Sequence, residues 1–168
     1  MTVEQALDLA FSYYDIGRLL EVEQLCRLVL QEVPRQVDAM QLLAALLSQR
    51  GQYTEAVQLL REVIRQAPGH AHIHNNLGIA LHQLEKSHEA VCVSEKAITM
   101  RPSCVEAHNN LGTALMELGR FSEANTAFEK AIAIDPECAE AHHNRSLVLL
   151  LRAHPAYTVA GHSRRCRM

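Results

Sequence analysis

The sequence predicts an all-α protein, a solenoid of stacked antiparallel helix hairpins, and three observations predict it. Pro34, Pro68, Pro102 and Pro136 follow one another at intervals of 34 residues, a period that signals a repeat architecture. Phased on those prolines, residue types recur: Leu9, Leu43, Leu77 and Leu111 stand at the seventh position, with small Ala10, Ala44, Gly78 and Gly112 at the eighth. Aromatic residues make up only 4% of the chain and Trp is absent; the residues that dominate instead are good helix formers such as Ala, Leu, Glu, Gln and Arg.

The phase divides the chain into repeats at 3–36, 37–70, 71–104 and 105–138, with a partial fifth from 139. Each repeat reads as helix A, a short turn and helix B, with the first pair near 3–15 and 19–33. Helix A carries the leucine row in an apolar stripe at helical spacing. Gly17, Gly51 and Gly119 stop helix A where a left-handed cap residue is needed. The third repeat has Glu85 there, so its turn is expected to be less ideal. Helix B repeats Val22, Ala56, Ala90 and Ala124 at the twentieth position, and Val29, Val63, Ala97 and Ala131 at the twenty-seventh. Small residues at the eighth and twentieth positions let two helices approach closely. The proline then ends helix B, because it lacks an N–H and clashes with the preceding turn. One hairpin cannot bury its apolar face alone, so the core has to run from repeat to repeat.

The fifth helix A spans 139–152 and keeps the pattern, but no helix B follows. Pro155 and Gly161 interrupt residues 153–168, which read as an irregular basic tail with Arg164, Arg165 and Arg167. Two readings fit: a basic appendage for acidic partners or phosphate, or a truncated or frame-shifted end of a longer repeat protein. The run Leu147–Leu151 cannot be buried against one neighbour, which makes this end a surface for self-association.

Bulk properties exclude several classes. A net charge of −3 supplies no basic field for nucleic acid. The longest apolar run, Leu147–Leu151, is too short to span a membrane. The N-terminus lacks the features of a secretory signal, which favours the cytoplasm. Cys26, Cys92, Cys104, Cys138 and Cys166 are odd in number and form no C-x-x-C pair, so they read as reduced thiols. His74, His108 and His142 share one repeat position, about 10 Å apart by helix packing, too far to share a metal. No nucleophile elbow, phosphate loop or H-E-x-x-H run is present, so neither catalysis nor a cofactor is expected.

The segments His74–Leu81 (HNNLGIAL) and Ala107–Pro136 (AHNNLGTALMELGRFSEANTAFEKAIAIDP) resemble the tetratricopeptide repeat family. The resemblance covers the four full repeats and the fifth helix A, with the first repeat the most divergent. It implies a right-handed superhelix whose A helices line a concave face, and a scaffold that binds an extended segment of a protein partner there. On that face the fifth position holds Leu7, Gln41, Asn75, Asn109 and His143, and the sixth holds Asp8, Leu42, Asn76, Asn110 and Asn144. A primary amide both donates and accepts, so it pairs with a peptide group whatever the neighbouring side chain. Asn76, Asn110 and Asn144, with Asn75 and Asn109 beside them, are thus the candidate peptide-binding residues; the same amides also suit bonds between neighbouring helices. The row looks like the asparagine ladder of O-linked N-acetylglucosamine transferases, which implies a second reading, the recognition arm of such a transferase. Repeats that clamp a terminal carboxylate need Lys or Arg at the second and thirteenth positions. Here those positions hold Glu4, Asp38, His72, Glu106 and Glu140, then Asp15, Gln49, Gln83 and Glu117, which disfavour an anionic ligand.

Overall fold

The computed structural model describes residues 1–153. Within them the chain forms α1 (Val3–Asp15), α2 (Leu19–Glu32), α3 (Val37–Gln49), α4 (Tyr53–Gln66), α5 (Ala71–Gln83), α6 (Ser87–Met100), α7 (Val105–Glu117), α8 (Phe121–Ile134) and α9 (Ala139–Ala153). Among the described residues there is no strand. The chain is an all-α repeat solenoid in class, and its helices keep the predicted phase. The last helix runs one residue past the expected end; the rest of the predicted tail lies outside the described residues. The chain divides into two units, Met1–Leu84 with α1 to α5 and a second unit from Glu85 onward.

The turn from helix A to helix B follows from backbone hydrogen bonding. At the end of α1, Gly17 takes φ 76°. Gly17 N–H then donates to Tyr14 O at 3.1 Å and Arg18 N–H to Tyr13 O at 2.9 Å. That pair of bonds closes the helix and satisfies carbonyls it would otherwise leave open. Residues 47–52 repeat the arrangement around Gly51, and residues 115–120 around Gly119. Glu85 adopts the same left-handed conformation, φ 57°, although it carries a Cβ. The third repeat therefore keeps the left-handed φ and accepts the strain, which for an L-residue is about 1–2 kcal/mol.

The turn from helix B to the next helix A explains the proline row. Gln36 N–H donates to Val33 O at 3.1 Å, Cys104 N–H to Arg101 O at 3.1 Å and Cys138 N–H to Asp135 O at 3.2 Å. Pro34, Pro102 and Pro136 each sit second in a four-residue turn, where the fixed φ fits and the missing N–H costs nothing. Asp135 adds a side-chain bond to this turn, accepting from Glu137 N–H at 3.0 Å.

The small residues lie where one helix meets another. Ala10, Ala44, Val22, Ala56 and Ala124 are fully buried. In the first unit Leu42, Leu43, Leu46 and Leu47 of α3 pack in one cluster with Ala10, Val22, Cys26 and Ala56. Burial pushes the Cys26 thiol up to about 11, so it behaves as a small apolar group. In the second unit Phe128 is fully buried, as are Ala107, Ala114, Ala124 and Ala131, with Ala127 4% exposed. A Cβ on Gly112 would come within 2.5 Å of that ring. The eighth position is therefore glycine opposite Phe128, and alanine in the cluster that holds the smaller Cys26.

In α9, Val148 is fully buried while Leu147, Leu149 and Leu150 are 38%, 43% and 69% exposed. The expectation that this run is only partly covered by the described chain agrees with those values. No helix of the described residues is long and apolar enough to cross a membrane.

Candidate functional site

The asparagines divide between the two units. In the first, Asn75 is half-buried and Asn76 exposed on α5. Asn76 borders a groove of about 170 Å³ lined by Ala44, Ala45, Ser48, Leu60 and Ile79. The groove exists because the α3 residues beside it are small. Ser48 does not offer its hydroxyl there freely, since Oγ donates to Ala44 O at 2.8 Å.

In the second unit, Asn109 and Asn110 lie on α7 and Asn144 on α9. The structure brings two of the three together: Asn144 Nδ2 donates to Asn109 Oδ1 at 3.2 Å. Asn109 is only 3% exposed, while Asn110 and Asn144 are half-buried. Asn109 therefore braces Asn144 rather than facing outward. An amide–amide bond leaves a second N–H and the oxygen of Asn144 for another group, and orients both.

Other residues at the ends of the A helices bond within the chain. Gln49 Nε2 donates to Tyr14 Oη at 2.6 Å, and Ser87 Oγ donates to Glu117 Oε2 at 2.6 Å. Glu106 is held below the usual carboxylate range by a backbone hydrogen bond and by the Cys104 thiol, 3.3 Å away.

The histidines are structural where their contacts are visible. His108 Nε2–H donates to Pro102 O at 2.9 Å, and His142 makes the same bond to Pro136 O at 2.9 Å. The ring at the fourth position thus ties helix A to the proline turn before it. Nδ1 of His108 is buried and without a hydrogen-bond partner among the described residues. His70 and His72 do touch, edge to face, with centroids 5.5 Å apart. His70 is the N-cap residue at φ −102°, so the rule that residues two apart on a helix diverge does not reach it. Burial, then the neighbouring His70, lowers the His72 pKa from its ordinary value. Among the described residues no group of three or more His, Cys, Asp or Glu could hold a metal ion. Cys26, Cys92, Cys104 and Cys138 are free thiols, and Cys166 lies outside the described residues.

A second feature escaped the sequence reading. A groove of about 550 Å³ opens between α6 and α8, over α7. Ile98, Leu111 and Leu115 are apolar lining; the charged lining is mixed, with Glu95 on α6 and the Arg120–Glu123 ion pair and Lys130 on the α8 side. The Arg120 guanidinium, at 2.6–2.8 Å, holds the Glu123 carboxyl below its ordinary range. The signal was a change of sign at one repeat position: Arg27, Arg61, Glu95, Glu129.

Two family profiles match the chain, both described as tetratricopeptide repeat, one over residues 36–103 and one over 105–138. Together they take in more than half of the sequence, and the chain belongs to the tetratricopeptide repeat family. The solved structures it resembles include MamA. One MamA crystal structure, 20% identical, superposes with a TM-score of 0.81 over 87% of this chain and 80% of that one. MamA AMB-1, 27% identical, gives 0.75 over 83% and 76%. A MamA double mutant, 19% identical, gives 0.83 over 96% and 90%. No curated protein sequence matches the chain significantly.

Proposed function

We propose that the chain is a non-catalytic scaffold that holds an extended segment of a protein partner along its A helices. Stacked helical repeats present elongated surfaces suited to this task. The observation that supports the site is the Asn144–Asn109 bond: a buried amide orients a half-buried one at the sixth position of helix A. Asn110 and Asn76 are the corresponding residues of the two preceding repeats. In this reading Asn76, Asn110 and Asn144 pair with the partner's peptide groups, Asn75 and Asn109 set their orientation, and the partner's side chains contribute little. The acids at Glu106, Glu140 and Asp38 select against a segment ending in a carboxylate there. The likeness to transferase ladders rests on the asparagine row in the sequence.

The test is a pull-down that compares the intact chain with a variant carrying Asn76→Ala, Asn110→Ala and Asn144→Ala. The variant should lose its partners and keep its helical circular dichroism. Equal recovery by a folded variant would falsify this placement of the site. A companion variant, Asn109→Ala, should weaken recovery less, since it removes only the brace.

A further inference from the structure

The groove beside Asn76 is lined by Ala44, Ala45 and Ser48 of α3, Leu60 of α4, and Asn76 and Ile79 of α5. None of these described residues is charged, and the Ser48 hydroxyl is already engaged with Ala44 O. Ile79 is a large apolar residue, yet 39% of its surface is exposed. It stands three residues after Asn76 on α5, so the two share a helix face. Two repeat periods later the corresponding space is filled from within the chain. Ala44, Ser48 and Leu60 correspond there to Gly112, Met116 and Phe128. The Phe128 ring lies so close to Gly112 that a Cβ would meet it at 2.5 Å. The second unit thus supplies a large apolar side chain of its own where the first has the smaller Leu60 and Ser48.

We propose that this groove is a subsite for one leucine-sized aliphatic side chain of the partner segment that Asn76 holds. The proposal rests on the reading of Asn76 as a peptide-binding residue, and makes this repeat the exception to that reading's indifference to side chains. The groove's volume, about 170 Å³, is below the roughly 300–1,000 Å³ of small-molecule pockets and suits a single side chain. Successive side chains of an extended segment point to opposite sides. While Asn76 pairs with a peptide group, one neighbouring side chain therefore enters between Ala45 and Ile79. A charged side chain would lose water there and gain no counter-charge, whereas an aliphatic one gains apolar contact. The occupant is then apolar in the first unit, as Phe128 is in the second, and the partner supplies it.

The probes are three fluorescein-labelled peptides of alternating serine and threonine, identical except for a central leucine, alanine or glutamate, followed by anisotropy. The intact chain should bind the leucine peptide about tenfold more tightly than the alanine peptide, and the glutamate peptide most weakly. Ser48→Met places in the groove the residue type that Met116 supplies two repeats on. It should bring the leucine and alanine peptides level and leave the affinity for the alanine peptide unchanged. The Asn76→Ala, Asn110→Ala, Asn144→Ala variant should lose all three peptides, and circular dichroism checks that each variant is folded. Absence of a leucine preference in the intact chain, whether the peptides bind alike or not at all, would overturn the subsite. So would a preference undiminished in folded Ser48→Met. The two readings fail separately. Equal binding of all three peptides by the intact chain, with loss in the triple variant, removes the subsite and keeps the asparagine grip. Unchanged binding by the folded triple variant overturns the grip, and with it the subsite as part of that grip.

Discussion

The two units solve one packing problem with different residues. In the first, four leucines of α3 fill the space between hairpins, and Arg27 and Arg50 tie the exposed edges through Glu23 and Glu55. In the second, the buried Phe128 ring stands against a bare glycine, and the outer groove carries mixed charge, Glu95 and Glu123 with Arg120 and Lys130. The 34-residue frame survives both solutions, because hydrogen-bonded turns and small contact residues define it rather than any particular core side chain. The difference teaches that apolar volume is traded within a hairpin, while surface charge varies independently of it.

The largest expected effect tests the trade. Phe128→Ala removes the ring at the centre of the second unit and leaves a cavity, a loss of about 3–5 kcal/mol for a buried aromatic. Urea unfolding followed by circular dichroism should show it. Gly112→Ala forces a methyl onto the same ring and should cost about 1–3 kcal/mol through overpacking. The two changes compensate: in the Phe128→Ala background the added methyl enters vacated space. A double-mutant cycle should therefore give a strong favourable coupling. Additive losses would mean that the glycine is there for some reason other than the ring.

A smaller effect concerns the turns. Glu85 holds a conformation that glycine holds in the other full repeats. Glu85→Gly relieves about 1–2 kcal/mol of steric cost but adds about 0.5–1 kcal/mol of unfolded-chain entropy. The net gain should be about 0–1.5 kcal/mol, visible as a modest rise in Tm. The converse, Gly119→Ala, should destabilise, since it places a Cβ at φ 71°. A loss of stability in Glu85→Gly would show that the Glu85 side chain compensates for its own backbone.

Helix phase was legible because it is local. Proline at 34-residue spacing marks every end of helix B, and glycine marks the ends of three A helices. At Glu85 the sequence suggested a less ideal turn, and there a residue with a Cβ takes the left-handed φ that glycine takes elsewhere. The asparagine row was legible as a row of residues. That Asn109 is buried and braces Asn144 was not, because it depends on a contact between helices one repeat apart. The α6–α8 groove went unread for a related reason. A charge means little until its cross-groove neighbour is known, and Arg27 and Glu55 are 28 residues apart.

The smallest effect sharpens the electrostatic half of the comparison. Glu23 accepts from Arg27 at 2.9 Å and pairs with Arg50 of the neighbouring hairpin. Hydrogen bonding from Arg27, then from Arg50, lowers its pKa below the ordinary carboxylate value. A folded pKa below the unfolded one means that the folded state binds fewer protons. The stabilisation is therefore fully present above the unfolded value, about 4.3, and is lost as pH falls through the folded value. Glu23→Gln should remove this dependence, so that stability declines less steeply between about pH 5 and pH 3. The pair is partly exposed, so the difference at neutral pH should be only about 0.2–1 kcal/mol and should shrink in high salt. Thermal unfolding across that pH range would measure it. An identical acid slope in Glu23→Gln would show that Arg27 is held by Glu55 of α4 alone.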